Sequence, residues 1–355
     1  MNVANVDVLV VGLGPAGSSA AAAAARAGCR VLAIDRRREP GRPVQCAEFV
    51  PALIGIEVGD LAHSVQQSIA SMATFVEDDA PDLRGNFPGR MLDRVAFDAA
   101  LVERAEGAGA ACAFGVAVRR LAEGRATLSD GGMVHARAIV GADGPRSIVG
   151  RAIGQRNSAL VETRQLTVPL KRASQSTDIF LSRDIPGGYG WLFPKGEAAN
   201  LGAGVGPEHK ARLKAIVDRL HRSLAAEGRV GTEARALTGG AIPVGGMVGP
   251  TGALGSTLVL LAGDAAGLAH PVTGAGIAAA VHSGRLAGEA AARAGAGGAF
   301  AVRDYEAELR DVFGAALARA VRRRSELASA MRAGVPGAKA ALRRGWIAYP
   351  EYWAA

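Results

Sequence analysis

The chain begins with a short apolar run, residues 7–11, that stops abruptly in Gly12-Leu13-Gly14-Pro15-Ala16-Gly17. An alanine-rich stretch to about Ala27 reads as a helix, and Gly28 suits its C-terminal cap. Residues 31–35 read as a second strand. Strand, helix and strand within about thirty residues make a βαβ unit. Residues 36–90 are irregular and rich in proline and glycine, with one predicted strand at 71–75. A helix is predicted over 94–108, where Phe97, Leu101 and Ala105 share one face. Short strands follow at 111–118, 125–129 and 133–140, the last entering Gly141-Ala142-Asp143-Gly144. Residues 160–240 alternate like strands and are interrupted by a predicted helix over 208–226. Residues 258–262 form a buried strand ending in Gly263-Asp264, and a long glycine- and alanine-rich helix starts near Gly276. Beyond Asp304 the pattern is helical and amphipathic.

Glycine numbers 48 in 355 residues and falls in short clusters without a repeat, which points to tight turns and close backbone approach to a ligand. Cys29, Cys46 and Cys112 contain no C-x-x-C pair, so a zinc site, thioredoxin chemistry and a four-cysteine cluster are not expected, nor is any other metal. Sparse cysteines and no readable signal segment predict a cytoplasmic protein. The net charge is +8, and between Arg322 and Arg344 seven basic residues face one acidic residue. Such a helical segment suits an anionic membrane surface or an acidic electron-donor protein; a solvated helix face is the plain alternative. Nucleic acid is not the expected partner.

Gly12, Gly14 and Gly17 have G-x-G-x-x-G spacing between a strand and a helix. The first permits the turn, the second lets backbone approach a pyrophosphate, and the third allows close helix–strand packing. Pro15, Ala16 and Gly17 open the helix, whose N-terminus, with its unpaired N–H groups, favours a diphosphate. Asp35 ends the second strand, where a carboxylate accepts ribose hydroxyls. The adjoining Arg36 joins the adenosine end or a solvated loop.

Two further segments decide which dinucleotide. Ile139-Val140-Gly141-Ala142-Asp143-Gly144-Pro145-Arg146 resembles the Asp-Gly motif of the FAD-dependent aromatic hydroxylase superfamily, and Leu261-Ala262-Gly263-Asp264 with Pro271-Val272-Thr273-Gly274-Ala275-Gly276-Ile277 resembles its Gly-Asp motif. Asp264 then meets ribityl hydroxyls. Gly274 to Ile277 open a helix toward the flavin edge that gains negative charge on reduction. The resemblance also places Arg94 and Asp143 near FAD; an ordinary helix-start ion pair is the equal alternative for Arg94.

Within that superfamily the chain is most similar to the geranylgeranyl reductase family. Arg42-Pro43-Val44-Gln45-Cys46-Ala47-Glu48 resembles that family's Pro-Val-x-Cys-Gly-Glu segment, and Tyr189-Gly190-Trp191-Leu192-Phe193-Pro194-Lys195 its Tyr-x-Trp-x-Phe-Pro-Lys strand, with Asn200-Leu201-Gly202 following. Ala47, Ala275 and His270 depart from the family pattern. The resemblance implies an α/β architecture: a Rossmann-like FAD-binding domain (1–160 and 241–300), an interleaved mixed-sheet substrate domain (161–240) and a helical basic C-terminal segment (301–355). It also implies an alkene reductase acting on an isoprenoid or similar apolar substrate. NAD(P)H or ferredoxin would visit transiently as electron donor. A monooxygenase of aromatic rings and a flavoprotein passing electrons to quinone are the alternatives.

For the chemistry, Cys46 lies beside the flavin in the family and is a candidate proton donor or modulator of the isoalloxazine, with a small buried hydrophobe as the plain alternative. His270 is the other candidate acid, with a hydrogen-bonded loop histidine as its plain alternative. Tyr189, Trp191 and Phe193 share one face of a strand and offer an apolar wall for substrate or simply core packing. Glu48 polarises the loop or holds substrate, with a surface carboxylate as the plain alternative.

Overall fold

The computed structural model describes residues 3–51, 62–332 and 337–354, with 294–299 as backbone only. Five parallel strands form the heart of the first sheet: Thr257–Leu261, Met133–Gly141, Val3–Val11, Val31–Asp35 and Ala111–Phe114, in that spatial order. Val8, Leu9 and Val10 are fully buried. A continuous apolar run buried on both faces is what a parallel sheet requires. The register aligns the strand ends: Val11 pairs with both Ile34 and Gly141, and Gly141 pairs with Leu261. Each strand's following loop therefore emerges at one edge, where open α/β sheets bind ligands.

Helices Pro15–Arg26 and Ile277–Ala292 lie against each other with almost no side-chain bulk between them. A Cβ on Gly284 would fall 2.1 Å from the Ala16 carbonyl oxygen, and one on Gly288 would fall 2.2 Å from that of Ala20. This contact explains the alanine and glycine bias of both helices.

The second sheet runs Ala236–Thr238, Leu160–Pro169, Ala198–Val205, Gly190–Lys195, Ser176–Leu181, Ser71–Val76 and Asp82–Arg84, with Ala241–Pro243 also on Leu160–Pro169. It crosses the expected 161–240 boundary. Ser71–Val76 pairs in parallel with Ser176–Leu181, so residues assigned by sequence to the first domain build the substrate-side sheet. A three-stranded sheet, Phe49–Pro51, Gly89–Leu92 and Val65–Ile69, lies between.

One face of the second sheet is covered by helix Leu213–Ala226, which packs Leu213, Ile216 and Leu224 on Leu192 and Leu201. The other face carries Trp191 and Phe193. It is covered by helices Ala315–Arg332 and Ala338–Arg344 and by residues 346–349. Among the described residues no helix is long and apolar enough to cross a membrane.

The basic C-terminal segment departs from expectation. Arg323 is buried and donates to the carbonyls of Tyr352 (2.9 Å) and Ala354 and to Glu326 (2.9 Å). Arg324 donates to the carbonyls of Pro271 and Gly187. Lys339 and Arg343 pair with Asp79, and Arg344 pairs with Glu326. Most of the cationic groups therefore fasten the segment to the body instead of presenting one basic face.

Candidate functional site

The glycine loop is shaped by three different demands. Gly12 has φ of 99°, and a Cβ there would lie 2.3 Å from the Ala142 carbonyl oxygen. A Cβ on Gly17 would lie 1.7 Å from the carbonyl oxygen of Gly12. At Gly14 a Cβ would meet no protein atom within 4 Å, so packing inside the chain does not require glycine there. Helix Pro15–Arg26 has no side-chain cap and no acidic residue in its first turn, leaving its leading amides turned outward. Close-fitting glycines below and an uncapped helix end above fit a pyrophosphate.

Asp35 is buried and braces this loop. One carboxylate oxygen accepts from the amide of Leu13 at 2.8 Å and the other from that of Arg37 at 2.7 Å. The expected ribose contact would use the remaining lone pairs. Arg36 is exposed. Asp143 accepts from the hydroxyl of Ser147, the N-cap of helix Ile148–Ala152, and from the amide of Ile148 at 2.6 Å. It shapes the loop beside the cradle, and as with Asp35 a contact to a ligand would use its remaining lone pairs.

Asp264 is different. It follows the strand Thr257–Leu261, and among the described residues no hydrogen-bond donor reaches its carboxylate. Burial pushes its pKa up to about 6 against the pull of Arg94. A desolvated, accepting carboxylate at a strand end fits ribityl hydroxyls. Nearby, Gly263 is held by its amide donating to Ser283 Oγ at 3.0 Å. Gly274 has φ of 70°, and helix Ile277–Ala292 starts at Gly276 without a side-chain cap. Ala275, Gly276 and Ile277 thus form a second uncapped helix entrance on the same side as the first motif, which suits the electron-rich edge of a flavin.

The Cys46 loop is pinned to the second sheet from several directions. Gln165 Nε2 donates to the Cys46 carbonyl at 3.1 Å, and Asn200 Nδ2 to the Ala47 carbonyl at 3.3 Å. Thr238 Oγ1 donates to the Val44 carbonyl at 2.6 Å. Glu48 is buried with φ of 69°, a left-handed conformation that a non-glycine residue keeps only when its surroundings hold it. They do: its carboxylate takes Asn200 Nδ2 at 2.8 Å, an ion pair with Lys195 and the Arg94 amide. Glu48 is therefore no surface carboxylate: its oxygens are buried and fix its loop.

The loop's geometry brings the amide of Glu48 to Cys46 Sγ at 3.2 Å. Arg94, clamped by Asp98 at 2.8 and 2.9 Å, also lies within hydrogen-bonding reach of that sulfur. Burial disfavours the Arg94 cation, but Asp98 and Cys46 outweigh this and hold it charged. Arg94 thus makes the helix-start ion pair with Asp98 and also interacts electrostatically with Cys46 and Asp264.

Tyr189, Trp191 and Phe193 do share one face. Ring centroids are 5.8 Å apart for the first pair and 6.4 Å for the second. Trp191 lies over Gly202 and donates its indole N–H to Gln165 Oε1 at 3.0 Å. Tyr189 donates its hydroxyl to the Thr273 carbonyl at 2.6 Å, tying the aromatic face to the cofactor loop. Burial raises the Tyr189 pKa, with Cys46 adding to the effect. The Trp346 ring packs against that of Tyr189 at a tilt of 59°, centroids 4.8 Å apart.

His270 is engaged at both ring nitrogens. Nδ1 accepts from the Thr273 amide at 3.2 Å, which leaves the proton on Nε2, 3.4 Å from the Tyr352 hydroxyl. Burial lowers its pKa to about 4. At neutral pH it is an uncharged loop brace, which is the plain alternative that the sequence left open beside a proton donor. Gln165, Asn200, Ser283 and Trp346 were not predicted as site residues. The readable signal for Gln165 was a polar residue alternating with Leu166 and Val168 on a strand whose other face is core.

Comparison with known proteins places this geometry. The model of the geranylgeranyl reductase catalytic domain matches residues 160–241, and that of glucose inhibited division protein A matches residues 7–169. The chain is 37% identical over 300 residues to digeranylgeranylglycerophospholipid reductase 1 of Methanopyrus kandleri, covering 76% of each. The crystal structure of a geranylgeranyl bacteriochlorophyll reductase-like protein from Thermoplasma acidophilum superposes with a TM-score of 0.83 at 26% identity, covering 99% of this chain and 98% of that one. A probable FAD-dependent monooxygenase from Pseudomonas aeruginosa shares the fold, with a TM-score of 0.69 at 21% identity over 92% of this chain and 96% of its own.

Proposed function

The chain belongs to the geranylgeranyl reductase family, and from that premise we propose that it reduces carbon–carbon double bonds of an isoprenoid lipid, with FAD as its redox group. The observation that carries the reading is the double role of Gln165. Its Oε1 accepts from Trp191 on the aromatic face and its Nε2 donates to the carbonyl of Cys46. The apolar wall and the thiol loop are thereby fixed to one side chain, within the same sheet that matches the reductase catalytic domain.

The leading amides of helix Pro15–Arg26, the carboxylate of Asp264 and the entrance of helix Ile277–Ala292 would hold the cofactor. Bound and reduced, FAD supplies a hydride to one alkene carbon. Cys46 is the candidate proton source for the other carbon. The thiolate it leaves faces the Glu48 amide and the Arg94 guanidinium, two groups that stabilise a negative sulfur. Trp191 and Phe193 exclude water and orient an apolar chain. Transient NAD(P)H or ferredoxin supplies the electrons, since a single G-x-G-x-x-G fingerprint leaves no second resident dinucleotide.

The test is anaerobic. Dithionite-reduced, flavin-loaded protein mixed with detergent-dispersed geranylgeraniol should yield products carrying one added pair of hydrogens per double bond by mass spectrometry. An added oxygen atom, formed only in air, would replace this reading with a monooxygenase. Cys46→Ser should slow the step about a hundredfold while flavin binding persists.

A further inference from the structure

The aromatic face is covered in this structure. Trp191 and Phe193 are each 6% exposed, packed beneath Leu342, Trp346 and Tyr349. Residues 338–354 thus form a strap across the wall assigned above to substrate. A long apolar chain reaches that wall only if the strap moves.

The strap is held unequally along its length. Its far end is anchored by Arg323, whose side chain is fully buried and donates to the Tyr352 and Ala354 carbonyls. Its middle is latched to the turn after Ser71–Val76 through surface groups. Lys339 pairs with Asp78 and Asp79, Arg343 pairs with Asp79 at 2.8 Å, and Tyr349 donates to Asp82 at 2.6 Å. Solvent-accessible ion pairs hold weakly, whereas removing a buried charge partner is costly. The latch therefore opens before the anchor.

The interior beneath the latch is also imperfectly satisfied. Trp346 Nε1 and Thr74 Oγ1 are buried without a hydrogen-bond partner. Thr74 shares the strap-facing side of the sheet with Ile179 and Trp191, which follow it in register. An unpaired indole N–H and hydroxyl weaken the closed packing and offer polar contacts to an oxygen-bearing end of a lipid.

We propose that residues 338–349 are a lid over the substrate wall, hinged at the Arg323 anchor and latched by Arg343 and Lys339 on Asp78 and Asp79, and that Trp346 is the lid residue that meets the substrate. This rests on the isoprenoid reading above. The lid swings on its C-terminal side, so the Tyr352–His270 contact persists while Trp346 leaves Tyr189.

The test compares Asp79→Arg, Arg343→Asp and the swapped double variant as full-length, flavin-loaded proteins. Chymotrypsin cleavage after Trp346, located by mass spectrometry, reads lid opening without any catalysis. Stopped-flow tryptophan fluorescence reads the binding rate of geranylgeraniol. Each single variant should raise both rates about fivefold, and the charge swap should return both toward the wild-type values. Raised cleavage in the double variant equal to that in the singles would overturn the latch. Faster cleavage with an unchanged binding rate would overturn the lid as a gate. A wild-type chain that opens as described yet neither binds nor reduces geranylgeraniol would instead remove the isoprenoid reading, and Trp346 as its contact with it.

Discussion

Trp191 reaches across Gly202 to Gln165, with the indole N–H 3.0 Å from Oε1. The bond exists because position 202 has no side chain. A Cβ there would lie 2.5 Å from Cζ2 of Trp191 and 2.6 Å from the Arg164 carbonyl oxygen. Gly202→Ala should therefore destabilise the protein by about 1–3 kcal/mol in urea unfolding, because backbone on one side prevents relaxation. Gly85→Ala, where a Cβ meets nothing within 4 Å, is the control and should change stability little. Equal stability of the two variants would show that Trp191 has room to move.

The glycine loop separates a folding demand from a binding demand. Gly17→Ala should disrupt the protein itself, since its Cβ would sit 1.7 Å from a backbone oxygen. Gly14→Ala should leave the stability of the flavin-free protein within about 0.5 kcal/mol, because φ of −79° suits alanine and no protein atom opposes the methyl group. It should still weaken FAD binding at least tenfold, measured by fluorescence titration, by blocking backbone approach to the pyrophosphate. Unimpaired FAD affinity in Gly14→Ala would move the pyrophosphate elsewhere.

Asp264 carries a cost that a ligand would offset. Burial raises its carboxyl to about 6, so at neutral pH the flavin-free fold holds a desolvated charge. Asp264→Asn should stabilise the flavin-free protein by roughly 1–2 kcal/mol at pH 7, a figure reduced for its partial exposure. The same change should loosen FAD, because a carboxylate accepts two hydroxyl donors better than an amide does. Opposite signs in a thermal melt and a flavin titration are the expected result. A loss in both would make Asp264 a structural residue.

The local elements were legible in sequence because their causes are local. The apolar runs at 7–11, 31–35 and 258–262, each ending in aspartate or followed by glycine, specify parallel strands and their loops. What escaped was set by distant partners. Ser71–Val76 reads as a strand, but its neighbour Ser176–Leu181 lies about a hundred residues away, and nothing local names it. Asp143 and Asp35 looked alike as strand-end acids, yet one accepts from the amide of Ile148 and the other braces Leu13; which amide lies nearest depends on the loop path. The basic segment looked like a charged surface because sequence does not show that Arg323 is buried against carbonyls of residues 352 and 354. Cys46 and the aromatic strand were readable as motifs. Gln165, which joins them, showed only as a polar position alternating with Leu166 and Val168, and that alternation does not name its partners Trp191 and Cys46.

His270 gives the pH prediction. Its folded pKa is about 4 against an ordinary 6.5, because burial excludes the imidazolium. Between those values the unfolded chain binds the proton and the folded chain does not. Stability from this group is therefore complete above pH 6.5 and is lost as pH falls toward 4, by up to about 3 kcal/mol before allowing for partial exposure. Asp264 acts in the opposite sense: its folded pKa of about 6 lies above 3.8, so its protonation adds stability as pH falls through the same window. The wild-type acid limb contains both, together with the other shifted carboxylates, and Asp264 makes it shallower than it would be without it. His270→Gln removes one contribution and leaves the others. Its urea-unfolding free energy, measured at several pH values from 7 down to about 4.5, should fall less steeply than that of the wild type. Parallel limbs would mean that His270 accepts its proton in the folded protein, restoring it as a candidate general acid beside Thr273 and Tyr352.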